Sequence, residues 1–320
     1  MKKAFAALLF CLLSGSAGYP QATGHAVIST PIPIDPADPA HRRFASLRFV
    51  AGWQLTSRQR GFGGYSALHV EGEQLLALAD TGDYVRFRMT AGGVVSDTRF
   101  GRLPAFPSYI GNRSDSDSES MAIGPEGDIW VGFEYRNAVL RYSRGFKALI
   151  GRAYPPAMKQ WGANSGPEAM ARLEGGRFIL LAEGGSGAAR LHAGLLFPGD
   201  PANPRNEPLA FRYRAPDGYV PTDAQQLPDG RLVVLHRHFS LLDGFWAAIA
   251  IVDPAQISAG ATIGGTVVAE LKPPLNIDNM EGLSITREGD RTILWLISDD
   301  NQMPVERTLL LKFELLANRR

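Results

Sequence analysis

A two-strand unit recurs five times along this chain. Its clearest copies are Glu119 to Tyr142 (ESMAIGPEGDIWVGFEYRNAVLRY), Glu168 to Glu183 (EAMARLEGGRFILLAE), Asp223 to Arg237 (DAQQLPDGRLVVLHR) and Glu281 to Asp300 (EGLSITREGDRTILWLISDD). A weaker copy is Ser66 to Asp80 (SALHVEGEQLLALAD). Each copy is a short apolar strand, a turn carrying Gly and usually an acidic residue, and a second apolar strand, which is the signal of a β-hairpin. The copies start 49 to 58 residues apart. Repeats of about 40–50 residues, each supplying about four strands, indicate propeller blades.

Third and fourth strands follow most copies: AVLRYS and ALIGRAY, then ARLHAGLLF and PLAFRYR, then AAIAIVD and TVVAELK. After the last copy only LLLKFEL remains, so that blade lacks an outer strand. The segment Leu47 to Leu55 (LRFVAGWQL) can supply it, closing the ring from the N-terminal side and removing an open sheet edge. The expectation is an all-β fold, a β-propeller of five blades, or six if a degenerate blade lies in the Pro-rich leader. A β-sandwich is the structural alternative, but it leaves the repeat unexplained.

The first residues have the layout of a secretory signal peptide over 1–18: Lys2 and Lys3, the apolar run Ala4 to Leu13, then small residues to Gly18. The run is too short to span a membrane, and no later stretch is long and apolar enough. An extended leader over 19–43 and a propeller domain over 44–320 follow. The expected location is the periplasm or the medium, with no integral membrane segment in the mature chain. Cys11, the only cysteine, lies inside the apolar run, so the mature chain has no disulfide to rely on. The bulky Phe10 before it argues against a lipid anchor there. With 45% apolar residues among 320, the chain has ample material for a core, and a net charge of +1 without a basic stripe argues against a nucleic-acid partner.

The polar residues of the repeat fall at fixed places. First strands open with Ser66, Glu119, Glu168, Asp223 or Glu281, and second strands close with Asp80, Glu134, Glu183, Arg237 or Asp299. In an antiparallel hairpin those two positions are neighbours, and the first strand of a blade is innermost. All five pairs should therefore meet at one mouth of the central channel. Crowded carboxylates raise one another's pKa and destabilise the fold unless something offsets them. A hard cation such as Ca²⁺, which takes six to eight oxygens, would do so. Arg237, with His236 and His238, could instead neutralise part of the ring. The structural alternative is that each carboxylate is a staple accepting backbone N–H groups at a turn. Asp115, Asp117 and Glu119 resemble the opening of a Ca²⁺ loop, although Ser120 stands where an EF-hand needs Gly.

The pieces SDSESMAIGPEGDIWVGFEY, NSGPEAMARLEGGRFILLAEG and NIDNMEGLSITREGDRTILWLISDDNQ resemble the esterase-like phytase domain family. The similarity runs from about Gly61 to Leu315. Its most specific parts are Asn-x-Glu-Gly and the late Ser298-Asp299-Asp300-Asn301. The resemblance implies an exported β-propeller that hydrolyses a phosphate or carboxylate ester. The chain departs from the pattern at Ala122, Ala169, the pair Gln225-Gln226, and His236-Arg237 where Glu-Arg is usual.

Other chemistry is not signalled. Gly184-Gly185-Ser186-Gly187-Ala188 fails the nucleophile-elbow pattern at its last position. There is no His-Glu-x-x-His motif and no phosphate-binding P-loop. The Asn112-Arg113-Ser114 sequon carries little weight if the source is bacterial, as the signal-peptide layout suggests. Trp130, Trp295, Phe133 and Phe178 read as core.

Two functions fit. The first is a metal-assisted hydrolase of a small anionic ester or phosphoester. Glu281, Asp299, His236 and Arg237 are its catalytic candidates, and Glu119, Glu134, Glu168, Glu183, Asp223 and Asp300 its ligands for Ca²⁺. The second is a non-catalytic propeller that binds a ligand or protein of the cell envelope at the same mouth.

Overall fold

The computed structural model describes residues 26–104, 117–162, 164–186 and 191–316. The signal-peptide segment 1–18, Cys11, the sequon, Asp115, Gly187 and Ala188 lie outside them.

Strands β1 (Ile28–Pro31), β2 (Arg43–Phe44) and β3 (Leu47–Thr56) come first. Blade 1 is β4 (Tyr65–Glu71), β5 (Gln74–Ala79), β6 (Asp83–Met89) and β7 (Val95–Arg102). Blade 2 is β8 (Ser118–Ile123), β9 (Ile129–Phe133), β10 (Ala138–Tyr142) and β11 (Leu149–Ala153). Blade 3 is β12 (Pro167–Arg172), β13 (Phe178–Ser186), β14 (Leu191–Phe197) and β15 (Leu209–Arg214). Blade 4 is β16 (Val220–Gln226), β17 (Leu232–Ser240) and β18 (Gly244–Val252), then β20 (Thr266–Leu271). Between them β19 (Thr262–Gly264) crosses back to add a parallel fifth strand to blade 3. Blade 5 is β21 (Asn279–Glu288), β22 (Arg291–Asp299) and β23 (Leu309–Leu315).

The five sheets stand in a ring, so the protein is a five-bladed β-propeller. The outer strand of blade 5 is β3, paired antiparallel to β23 with Leu311 opposite Gly52, as the sequence predicts. Beyond β3, β1 adds one more strand, and Val27 and Ile34 are buried beside it. The part of the leader that is described is thus fastened to blade 5.

Burial explains the strand composition. The second strand of a blade has a neighbouring blade on each face, so it needs apolar side chains on both. Leu75 to Ala79, Ile129 to Phe133 and Ile293 to Ile297 are buried throughout. The outermost strand β7 has no such cover, and Asp97, Arg99 and Arg102 blunt it as an edge. Trp130, Trp295, Phe133 and Phe178 are core, as their positions suggest, and Trp53 stacks on Trp295 at 6.3 Å between centroids. The turns need left-handed backbone, and Gly127 (φ +84°) and Gly230 (φ +88°) supply it at the tips of the hairpins of blades 2 and 4.

The candidate site at the channel mouth

Every innermost strand carries a one-residue bulge at the same place. Pairing skips one residue between Tyr65 and Ala67, Ser118 and Ser120, Pro167 and Ala169, Pro221 and Asp223, and Met280 and Gly282. The skipped residues are Ser66, Glu119, Glu168, Thr222 and Glu281. A bulge leaves its extra residue outside the ladder and re-aims the side chain. Next to the bulges stand the residues that close the second strands: Asp80, Glu134, Glu183, Arg237 and Asp299.

These side chains converge across blades. The Glu281 charge, from blade 5, acts on both Glu119 of blade 2 and Glu168 of blade 3. Asp117 shares hydrogen bonds with Glu119 and Glu134, and Glu134 shares one with Glu168. Two carboxyl groups can share a hydrogen bond only if a proton lies between them, so the group titrates as a unit. Burial, and after it the neighbouring carboxylates, push Glu119 and Glu168 well above the usual carboxylate range. Burial lifts Glu134 to about 7. It lifts Glu281 to about 7 as well, although Arg237 and a hydrogen bond from Asn279 pull the other way. Asp299 rises to about 8, through burial and then the Glu281 charge.

Arg237 is the cation of the mouth. Its Nη2 donates to Glu183 Oε1 at 2.5 Å, and its Nε lies 3.7 Å from Glu281 Oε1 without a hydrogen-bond partner. Burial opposes its charge, but Glu281, Glu183, Glu168 and Asp299 together more than offset that.

Three residues expected at the mouth have other roles. Asp223 is one residue out of register with the ring, and the position equivalent to Glu119 and Glu168 is Thr222. The Asp223 carboxylate points into the blade interface, where Oδ2 accepts the Leu283 N–H and Oδ1 the Ala224 N–H, both at 2.7 Å. It is the backbone staple that was the alternative reading, and not a metal ligand. Asp300 is likewise consumed: Oδ1 accepts the Gly64 N–H at 2.9 Å and Oδ2 the Thr308 hydroxyl at 2.7 Å. His236 is fully buried between blades 3 and 4, stacked on Tyr213, with Nε2 at 2.8 Å from the Tyr213 hydroxyl and Nδ1 at 3.3 Å from the Ala248 carbonyl. Burial drops its pKa to about 3, so it is neutral and cannot bind an anion as a cation. Strand alternation causes this: Arg237 and His236 are consecutive and must face opposite ways.

Asn279 was not singled out in the sequence, although it is the Asn of the Asn-x-Glu-Gly piece. Its Nδ2 donates to Glu281 Oε1 at 2.9 Å, while its Oδ1 is buried without a donor. Ser66 Oγ is buried without a partner too. Two carboxylate triads, Asp117-Glu119-Glu134 and Glu134-Glu168-Glu183, each bring three oxygens within 4.8 Å of one another. An all-oxygen donor set with orphaned buried acceptors nearby suits a hard cation such as Ca²⁺. Among the described residues no helix is long and apolar enough to cross a membrane.

The family model described as Phytase-like, esterase-like activity of phytase, matches residues 60–302, and the chain belongs to that family. No curated protein sequence matches the chain. Solved structures with a similar fold include the major allergen Mala s 1 of Malassezia sympodialis (12% identity, 90% of this chain and 95% of that one, TM-score 0.46). Others are the calcium-binding protein regucalcin of Agrobacterium tumefaciens (13%, 90% and 93%, 0.44) and virginiamycin B lyase of Staphylococcus aureus (11%, 93% and 90%, 0.40). Likeness at this level carries no residue role to this chain.

Proposed function

We propose that this member of the phytase-like family hydrolyses small anionic esters, phosphate or carboxylate, at the carboxylate-lined mouth of its channel. The observation that carries the reading is the meeting of Glu119, Glu168 and Glu281, from three blades, beside the cation Arg237. Repeated staples would need no such convergence, and Asp223, whose two oxygens are both taken by backbone N–H groups, faces elsewhere.

Asp117, Glu119, Glu134, Glu168 and Glu183 would hold the cation. When bound, Ca²⁺ would offset their charge and polarise an ester oxygen. Arg237, its guanidinium held by Glu183, would supply the positive charge that draws an anionic oxygen of the substrate to the mouth. Glu281, lifted to about 7, is suited to take a proton from water near neutral pH, and Asn279 holds Oε1 in place. Asp299, at about 8, is protonated at neutral pH and can give its proton to the leaving oxygen.

The test is an assay of purified protein on phosphate and carboxylate esters, with Ca²⁺ and with chelator. Turnover lost on chelation and in Glu281→Gln supports the hydrolase. No turnover on any ester, with thermal stability indifferent to chelator, leaves the ligand-binding propeller. We propose in addition that residues 1–18 direct export to the periplasm or the medium. Cell fractionation and N-terminal sequencing of the mature chain check this.

A further inference from the structure

The channel has a second end, and its chemistry is the reverse of the first. Two residues past each bulge stand Leu68, Met121, Met170, Ala224 and Leu283, all buried. Each packs into the seam with the preceding blade, in five separate apolar clusters. Beside them the channel holds a cavity of about 80 Å³ whose wall includes these five residues together with His69, Arg172 and Gln225. That volume exceeds the roughly 30 Å³ that one water occupies in the liquid. The cavity continues into a wider opening that shares Arg172 and Gln225 and adds Gln226, Thr286 and Arg287.

The polar side chains here are mainly donors. Among the described residues Arg172 has no ion pair, and Arg287 donates only to the Gly289 carbonyl. Gln225 Oε1 accepts the Ile285 N–H at 2.7 Å, which fixes the amide and leaves Nε2 to donate. Gln226 is pinned in the same way, accepting the Glu174 N–H at 2.6 Å and donating to the Gly230 carbonyl at 2.8 Å. Glu174 is the one carboxylate residue in the lining of the opening, against two arginines. Nothing in the hydrolytic reading uses any of these residues, and none of the mouth carboxylates lines either opening.

We propose that this end of the channel is a binding site for a small oxyanion, a phosphate, sulfate or carboxylate group, received by Arg172, His69 and the Gln225 amide. A half-buried guanidinium without an ion pair gains from a tetrahedral or planar oxyanion that accepts from it in bidentate fashion. The site stands apart from the hydrolase reading and holds whether or not the enzyme turns over.

Calorimetric titration of the full chain with inorganic phosphate, in the presence of chelator, tests it, with sodium acetate as the carboxylate arm. Chelator removes any cation-mediated phosphate binding at the other mouth. The expected result is saturable binding to one site, weakened at least tenfold by Arg172→Gln and unchanged by Glu281→Gln. Absence of saturable heat with both anions overturns the proposal. So does binding that survives Arg172→Gln intact, or that disappears in Glu281→Gln. Should Arg172→Gln fail to fold, His69→Gln must weaken phosphate binding at least threefold, and equal affinity in that variant refutes the site.

Discussion

Arg237 on blade 4 reaches across to blade 3 and donates from Nη2 to Glu183 Oε1 at 2.5 Å. It is the only cation so placed among the mouth residues described, and it faces carboxylates from blades 3 and 5 together. Replacing it by glutamine leaves those charges uncompensated. Breaking a buried pair by removing one partner costs about 3–5 kcal/mol. Arg237→Gln should approach that loss at pH 8 and lose less at pH 5, where Glu281 is protonated. Urea unfolding at the two pH values measures the difference, and equal losses would contradict the role given to Arg237.

The mouth should make the cation-free protein less stable as pH rises. Glu134 and Glu281 lie near 7 and Asp299 near 8 in the folded state, above their ordinary values of 4.5 and 3.8. The folded state therefore holds these protons more tightly than the unfolded state does. Stability is highest below about pH 4 to 4.5 on their account, and falls as pH rises to about 8. Ca²⁺ bound as proposed would reverse this by favouring the ionised carboxylates. Added Ca²⁺ should raise the melting temperature clearly at pH 8 and little at pH 5, and chelator should cancel the gain.

Asp223 should behave as a structural residue. Asp223→Ala strands the buried Leu283 N–H, a cost of about 1–3 kcal/mol. The Ca²⁺ response of the melting temperature should survive, whereas Glu134→Gln, which alters both carboxylate triads, should diminish it. A lost response in Asp223→Ala would return that residue to the cation site.

His236 works in the opposite pH direction from the mouth. Its pKa is about 3 in the fold against an ordinary 6.5, so between those values the unfolded state binds the proton and stability falls as pH falls. His236→Phe should flatten that acid-side loss. At pH 7 it should cost about 1–3 kcal/mol for the orphaned Tyr213 hydroxyl, with hydrolytic turnover retained. A turnover loss beyond the fold destabilisation would show that His236 acts at the mouth after all.

The blades were legible because their second strands are apolar on both faces and their turns recur at a steady spacing. The pairing of Leu47–Thr56 with Leu309–Leu315 was legible because a blade with three strands must borrow a fourth. What the sequence hid were single-residue offsets. A bulge at Thr222 turns Asp223 away from the channel, yet in a linear alignment Asp223 stands where its acidic counterparts stand. The spacing of 15 residues from Thr222 to Arg237, equal to that from Glu119 to Glu134, is the signal that would have corrected it. His236 and Arg237 could not be separated without knowing which face of β17 meets blade 3. Asn279 and Asp117 matter through side-chain direction, which periodicity does not encode. The added strands β1 and β19 carry no repeat signature, being outside the four-strand grammar.

The seam of the ring also dictates an order of events. Arg48 and Glu314 meet across β3 and β23 although 266 residues separate them. On a ribosome, β3 emerges before any blade and must wait, unpaired, until residue 315 has been made. Blades 1 to 4 find most of their strands locally, and so can form as they appear. Blade 5 forms β21, β22 and β23 in the same way, but its outer place is filled only when β3 joins β23. A nascent or truncated chain that lacks β23 therefore has an open ring, and Glu281 and Asp299 are fixed against the carboxylates of the other blades only when the last strand has been made.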